Sequence, residues 1–233
     1  ADRKIITVED PVEYQLPRIN QVQVNHKIGL DFSHVLRTTL RQDPDIIMVG
    51  EMRDQETVEI GLRGALTGHF VLSTLHTNDA VTSALRLLDM GAASYLVASA
   101  LRVIIAQRLV RRVCQNCATD YHLSAQDKAW LSNVSQLDYS NARFRVGSGC
   151  QSCNGSGYRG RIGVFEILEL DEPMIEAMRT GNPQDFTRAA YQSPNFTPLA
   201  ESALKYMAQG MTTIEEVAKL VEDVSEITLE SEA

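Results

Sequence analysis

Apolar residues gather in three short runs near the start of the chain, Ile5 to Val8, Ile46 to Val49 and Phe70 to Leu75, each followed by polar or acidic residues. Runs of this length, rich in β-branched side chains, have the character of strands in a parallel sheet. Between them the apolar positions recur at helical spacing. Phe32, Val35, Leu36 and Leu40 fall on one helical face behind a cap at Asp31 or Ser33, and Arg37 and Arg41 stand four apart on the opposite face. A second helix runs from a cap at Asp54 through Val58, Leu62, Ala65 and Leu66 to a stop at Gly68. A third follows Asn78 or Asp79, and a fourth is expected from about Ser94 to Gln107. Strand and helix in alternation predict an open parallel α/β sheet, where ligands collect beyond the carboxyl ends of the strands.

After Arg112 the periodicity fades into cysteine, serine, asparagine and glycine until the strand-like Ile162 to Leu168. From Glu172 the pattern is helical again, with Leu199, Ala203 and Met207 on one stripe and Ile214, Val217, Ala218 and Val221 on another. The expected division is therefore a sheet-bearing core over 1–112, an inserted cysteine segment over 113–160, and a returning strand with C-terminal helices and an acidic tail over 161–233.

Composition narrows the class. With 233 residues, 44% of them hydrophobic, the chain can bury a sizeable core, which excludes intrinsic disorder. The net charge of −8 lies mostly in the stretch after Ile214, whereas Ser99 to Phe165 is locally basic. Such a basic stretch suits an acidic partner or nucleotide phosphates, and is more often a solvated surface. No apolar run reaches the roughly 18 residues that would cross a bilayer. The first residues, Ala1-Asp2-Arg3-Lys4, carry no apolar leader and lead straight into a strand, so the sequence reads as a fragment.

All four cysteines fall in two pairs, Cys114-Gln-Asn-Cys117 and Cys150-Gln-Ser-Cys153. Two CxxC knuckles read as one tetrahedral structural zinc site, although the spacer is longer than the usual template. Disulfides and a thioredoxin-like redox pair are the competing readings. Four thiolates would leave no open position, which disfavours catalytic zinc. No aromatic platform accompanies the basic segment, so nucleic acid is not an expected partner.

Asp45-Ile-Ile-Met-Val-Gly50-Glu51 is a buried strand that delivers a glutamate to the carboxyl edge of the sheet, as a Walker B strand does, and many other parallel strands also end in Gly-Glu. Glu9, Asp10 and Glu13 end the first strand, with Pro11 turning the chain; three acids there suit a Mg²⁺-nucleotide or a solvated cap cluster. His69 and His76 bracket the third strand. Seven positions apart, they would lie about 23 Å from each other on an extended chain and cannot share a metal. His76 falls at the carboxyl end and His69 at the other.

Four blocks together resemble the secretion ATPase superfamily that powers type II secretion and type IV pilus assembly. Ile6-Thr7-Val8-Glu9-Asp10-Pro11-Val12-Glu13-Tyr14 resembles its aspartate box, Leu40 to Asp54 its Walker B signature in the Gly-Glu variant, and Thr67-Gly68-His69-Phe70 through Asn78 its histidine box. The tetracysteine segment resembles the zinc subdomain of the secretion and pilus-extension branches. The wording around Gln15 to Asn25 is most similar to extension motors of the mannose-sensitive haemagglutinin type of pilus.

That resemblance implies a partial RecA-like P-loop NTPase core with an inserted zinc subdomain, working on ATP and Mg²⁺ with a structural Zn²⁺. It implies Glu51 in the Mg²⁺ shell, Glu13 polarising water, His76 sensing the γ-phosphate, and Arg37 and Arg41 at nucleotide or ring-interface contacts. Glu9, Asp10, Arg53 and His69 are implied at the nucleotide, and Cys114, Cys117, Cys150 and Cys153 at the metal. The implied partners are other copies in a homohexameric ring and an inner-membrane platform protein, with the motor cytoplasmic and peripheral to that membrane. None of the five lysines stands in a GxxxxGK[ST] loop. The family places that loop before the aspartate box, so the chain is expected to begin just after it and to be inactive alone. The rival reading is a zinc-bearing protein-interaction module without ATPase function.

Overall fold

In the computed structural model, residues 2–135 and 137–230 are described, with side chains as far as Glu222. In chain order the elements are β1 (Ile5–Glu9), β2 (Asn20–Gln23), α1 (Phe32–Thr39), β3 (Ile46–Val49), α2 (Gln55–Leu66), β4 (Phe70–Ser73), α3 (Ala80–Asp89), α4 (Ser94–Ala100), β5 (Val103–Val113), β6 (Ala118–Asp120), α5 (Ala125–Val134), β7 (Arg145–Gly147), β8 (Tyr158–Glu169), α6 (Glu172–Thr180), α7 (Pro183–Gln192), α8 (Leu199–Ala208) and α9 (Ile214–Glu230). They form two compact units, residues 1–104 with 169–194 and residues 105–168 with 195–233. The expected division at 112/113 and 160/161 followed the change in composition. These units part elsewhere, because β5 and β8 hydrogen-bond to each other and tie the cysteine segment to the long strands.

The first unit holds a four-stranded sheet in the order β2-β1-β3-β4, with every neighbouring pair parallel. The expected parallel α/β sheet is thus present. Helices start where short polar side chains accept the first free amides: Asp31 takes the N–H of His34, Asp54 that of Thr57 and Asp79 that of Thr82. Val8, Ile47 and Val49 of the sheet pack with Phe32, Val35 and Leu36 of α1. On the helical side α4 packs against α2 and α6, and α6 against α7.

Three expectations change. β2 is a strand that the apolar pattern does not show, since Asn-Gln-Val-Gln lies at the sheet edge, where polar side chains meet water. The fourth helix stops at Ala100, and residues 103–107 belong to β5. Leu101 is already extended, and the consecutive β-branched Val103, Ile104 and Ile105 favour a strand. Helix α1 ends at Thr39, which leaves Arg41 in the following turn rather than beside Arg37 on a helical face.

The second unit is built on the β5–β8 ribbon. Val110 and Val164 of its inner face pack with Leu199, Ala203, Leu204 and Met207 of α8, Val217 and Leu220 of α9, and Leu131 of α5. Alternate residues on the strands, Ile105, Leu109, Phe165 and Ile167, remain exposed. Arg111 joins β5 to α9: its guanidinium stacks 3.9 Å from the centre of the Tyr158 ring and lies 2.7 Å from Glu216 Oε1. β6 and β7 pair antiparallel beside the cysteines.

Candidate functional site

The parallel register puts Val8, Val49 and Ser73 in one row across β1, β3 and β4. The residues just beyond them share one edge. Gly50 N–H donates to Val8 O at 2.7 Å, and the Thr74 hydroxyl donates to Gly50 O. A Cβ on Gly50 would stand 3.1 Å from Val8 O and 3.4 Å from Glu9 Cα, which accounts for glycine here where an aspartate would crowd β1.

Glu51 follows Gly50 and is buried, its side chain 11% exposed. Its Oε2 lies 3.1 Å from His76 Nε2 and also meets Arg53 Nε, while both partners are largely exposed. Burial raises the carboxyl pKa, but the hydrogen bonds from Arg53 and His76 outweigh it and hold Glu51 below the ordinary value. Both donors use one oxygen. Among the described residues no donor meets Oε1.

The loop after β1 carries the remaining acids. Glu9 Oε1 accepts from the Thr7 hydroxyl and from Gln21 Nε2, the latter at 2.9 Å. Asp10 Oδ2 lies 3.5 Å from His26 Nε2, and the Asp10–Pro11 bond is cis. Glu13 is exposed. The structure therefore joins Glu51, Arg53 and His76 directly and brings the end of β1 to the same sheet edge.

It does not bring all the candidates together. Arg37 pairs with Glu56 of α2, and Arg41 is exposed beyond α1. His69 precedes β4, where its Nδ1 is 3.0 Å from Gly64 O, so it sits at the end of that strand opposite His76. Gln21 and Gln23, which brace the acidic loop, escape sequence reasoning because an edge-strand glutamine looks like solvated surface.

A hard dication such as Mg²⁺ needs few protein oxygens and keeps its waters and phosphate ligands. Glu51, with one oxygen that meets no donor among the described residues, fits that requirement as a single carboxylate ligand. When bound, such an ion supplies charge neutralisation for transferring phosphates.

The four cysteine sulfurs of the second unit all lie within 4.8 Å of one another. Cys114 and Cys150 Sγ are 3.9 Å apart, Cys117 and Cys153 3.8 Å, and Cys150 and Cys153 3.7 Å. These are free thiols, not disulfides. Four sulfurs at 2.3 Å from one tetrahedral ion stand about 3.8 Å apart, so the cluster has the spacing to hold a metal ion. The N–H groups of Cys150 and Gly157 point at Cys153 Sγ from 3.2 and 3.3 Å. Burial works against a thiolate at Cys153, yet those donors bring its pKa down to about 6, while burial pushes Cys117 up to about 12. The knuckles close because Gly147 and Gly157 touch: a Cβ on Gly147 would stand 2.0 Å from Gly157 O, and Gly157 has φ +77°.

A parallel sheet with a carboxylate and an imidazole meeting at its edge, in a chain that also carries a tetracysteine cluster, defines an α/β protein with a candidate ligand site at the strand ends and a candidate metal centre. The chain belongs to the Type II/IV secretion system protein family, which it matches over residues 1–219. It is 42% identical over 219 residues to the type II secretion system protein HxcR of Pseudomonas aeruginosa, covering 94% of this chain and 42% of that protein. It is 43% identical over 216 residues to the type IV pilus assembly ATPase PilB of Thermus thermophilus, covering 93% of this chain and 24% of that protein. The chain therefore spans less than half the length of these relatives. Among solved structures, the pilus retraction motor PilT with bound ADP superposes with a TM-score of 0.66 at 27% identity, over 94% of this chain and 52% of that one. The Legionella pneumophila ATPase DotB, at 22% identity and a TM-score of 0.66 over 95% of this chain and 52% of its own, shares the fold.

Proposed function

We propose that this chain is the C-terminal part of a motor ATPase whose hydrolysis of ATP drives pilin or pseudopilin assembly. The observation that carries this reading is the meeting of Glu51 and His76, from β3 and β4, on one oxygen at the carboxyl edge of a parallel sheet. In this reading Glu51 enters the Mg²⁺ shell, Glu13 polarises the attacking water and His76 reports the γ-phosphate, with Glu9, Asp10 and Arg53 toward the nucleotide, while His69, at the opposite end of β4, stands outside that group. Arg37 and Arg41, both exposed, then serve contacts within or across a homohexameric ring. The cysteine cluster holds a structural zinc, and the motor works in the cytoplasm against an inner-membrane platform protein.

Turnover requires backbone amides and a lysine around the phosphates, and these 233 residues contain no GxxxxGK[ST] loop. The chain alone is accordingly inactive in this reading. The deciding experiment is Mg²⁺-dependent phosphate release by the full-length protein and by its Glu51→Gln variant. Turnover that falls by about 100-fold or more in the variant supports the reading. Full-length protein without turnover would leave a zinc-bearing interaction module, and turnover indifferent to Glu51 would overturn the assignment of that residue.

A further inference from the structure

The loop from Asp10 to Ile19 connects two parallel neighbours, β1 and β2, without a helix, and it carries Glu13. Such a loop gains no order from regular backbone pairing, so something else must fix it. Two glutamines of β2 do so. Gln21 uses its amide three times: Nε2 donates to Tyr14 O and to Glu9 Oε1, each at 2.9 Å, and Oε1 accepts the N–H of Leu16 at 2.7 Å. Gln23 Oε1 accepts the N–H of Val12 at 3.2 Å. The bonds assign the orientation of the Gln21 amide, because turning it over would set its NH₂ against the Leu16 N–H and its oxygen against two acceptors.

Glu13 lies between these tethers. Val12 on one side is held by Gln23, Tyr14 on the other by Gln21, and the exposed Glu13 side chain projects from the pinned stretch. Gln21 also links the loop to Glu9, which shares its Oε1 with the Thr7 hydroxyl. A carboxylate that must meet a water and a phosphate within a fraction of an ångström needs a fixed backbone, and small displacements are expensive in rate.

We propose that Gln21 is a positioning residue for Glu13, seconded by Gln23, acting through the backbone of the loop and not through contact with nucleotide. This rests on the reading of Glu13 as the group that polarises water. Replacing Gln21 therefore alters the chemical step more than nucleotide binding, and it matters only while Glu13 is present.

Two measurements test it. Amide exchange in the 233-residue chain reads the bracing directly: Gln21→Ala speeds exchange at Leu16 by about tenfold or more, and Gln23→Ala does so at Val12. In the full-length protein Gln21→Ala lowers kcat by about tenfold with the KM for ATP within about twofold, and adds nothing further in a Glu13→Gln background. Gln21→Glu keeps the acceptor for Leu16 but sets a second carboxylate against Glu9, and fails to restore kcat. Unchanged exchange at Leu16 in Gln21→Ala would overturn the bracing. A further loss of kcat in the Glu13→Gln background would overturn the route through Glu13. If Glu13→Gln alone leaves turnover intact, the role of Glu13 and the positioning proposal fall together, while the exchange data still report whether Gln21 holds the loop.

Discussion

His76 Nε2 and Arg53 Nε converge on the same oxygen of Glu51, Oε2, with the histidine at 3.1 Å. A nearly buried carboxylate is thus held by two exposed partners, and its ionisation depends on them. Glu51 has a folded pKa below its unfolded value, so its contribution to stability is present above the ordinary carboxylate range and disappears as pH falls through the folded value. Arg53→Gln removes one donor and moves the Glu51 titration upward. Carbon-13 NMR of the labelled glutamate side chain checks this; a Glu51 titration unmoved by Arg53→Gln would contradict the pairing.

The cysteine cluster is expected to bind one zinc ion per chain, released on titration with a mercurial and counted with a chromogenic chelator. Cys150→Ser lowers that content and the melting temperature of the second unit, because a structural zinc contributes on the order of 10 kcal/mol at neutral pH. Chains isolated with full stability and no metal, even after refolding with zinc, would count against the site.

Gly157→Ala places a Cβ 2.5 Å from Gly147 O at a φ of +77°. Backbone cannot yield as a side chain would, and the left-handed conformation adds strain for alanine. A loss of about 3 kcal/mol, or of zinc retention outright, is the expected outcome in chemical denaturation, since backbone strain and overpacking each contribute about 1 to 3 kcal/mol. Gly155, also at positive φ but with nothing near its missing Cβ, serves as the milder control.

Glu216 accepts from both the backbone N–H and the guanidinium of Arg111, at 2.8 and 2.7 Å, which fastens α9 to β5. Burial opposes the charge, and the Arg111 bonds overcome it, so the Glu216 pKa is lowered. Glu216→Gln should lower stability by about 1 to 3 kcal/mol near neutral pH. The difference between wild type and variant shrinks as pH falls through the folded pKa of Glu216. Urea melts at several pH values give the curve; a difference that grows toward acid would refute it.

Much of this was legible from residue order. Strands β1 and β3 announce themselves by buried Ile and Val, and β4, though largely exposed, by its apolar run; the caps fall on Asp54 and on one of the two residues offered at each of the other helix starts, Asp31 and Asp79, and the cysteine cluster follows from paired CxxC spacing. Glu51 and His76 were placed at one edge because parallel strands end together. β2 stayed hidden because pairing at a sheet edge asks for no apolar run. Residues 103–107 were misassigned because a helical stripe and a strand overlap in one apolar stretch. The sequence shows that glycine precedes Glu51, and the 3.1 Å from a Cβ at Gly50 to Val8 O gives the reason. The Gln21 bonds depend on how a loop folds back over ten residues, which no local spacing encodes.

The two units do not follow one another along the polypeptide. The chain leaves the first at residue 104, returns at 169 and leaves again after 194. A ribosome that has released everything up to β8 has therefore delivered the sheet and the whole cysteine excursion, but neither α6, which packs on α4, nor α7, which packs on α6 and α3. The sheet-bearing half has to wait for its own last helices while the intervening residues are made, so α4 goes without its neighbour α6 throughout that interval.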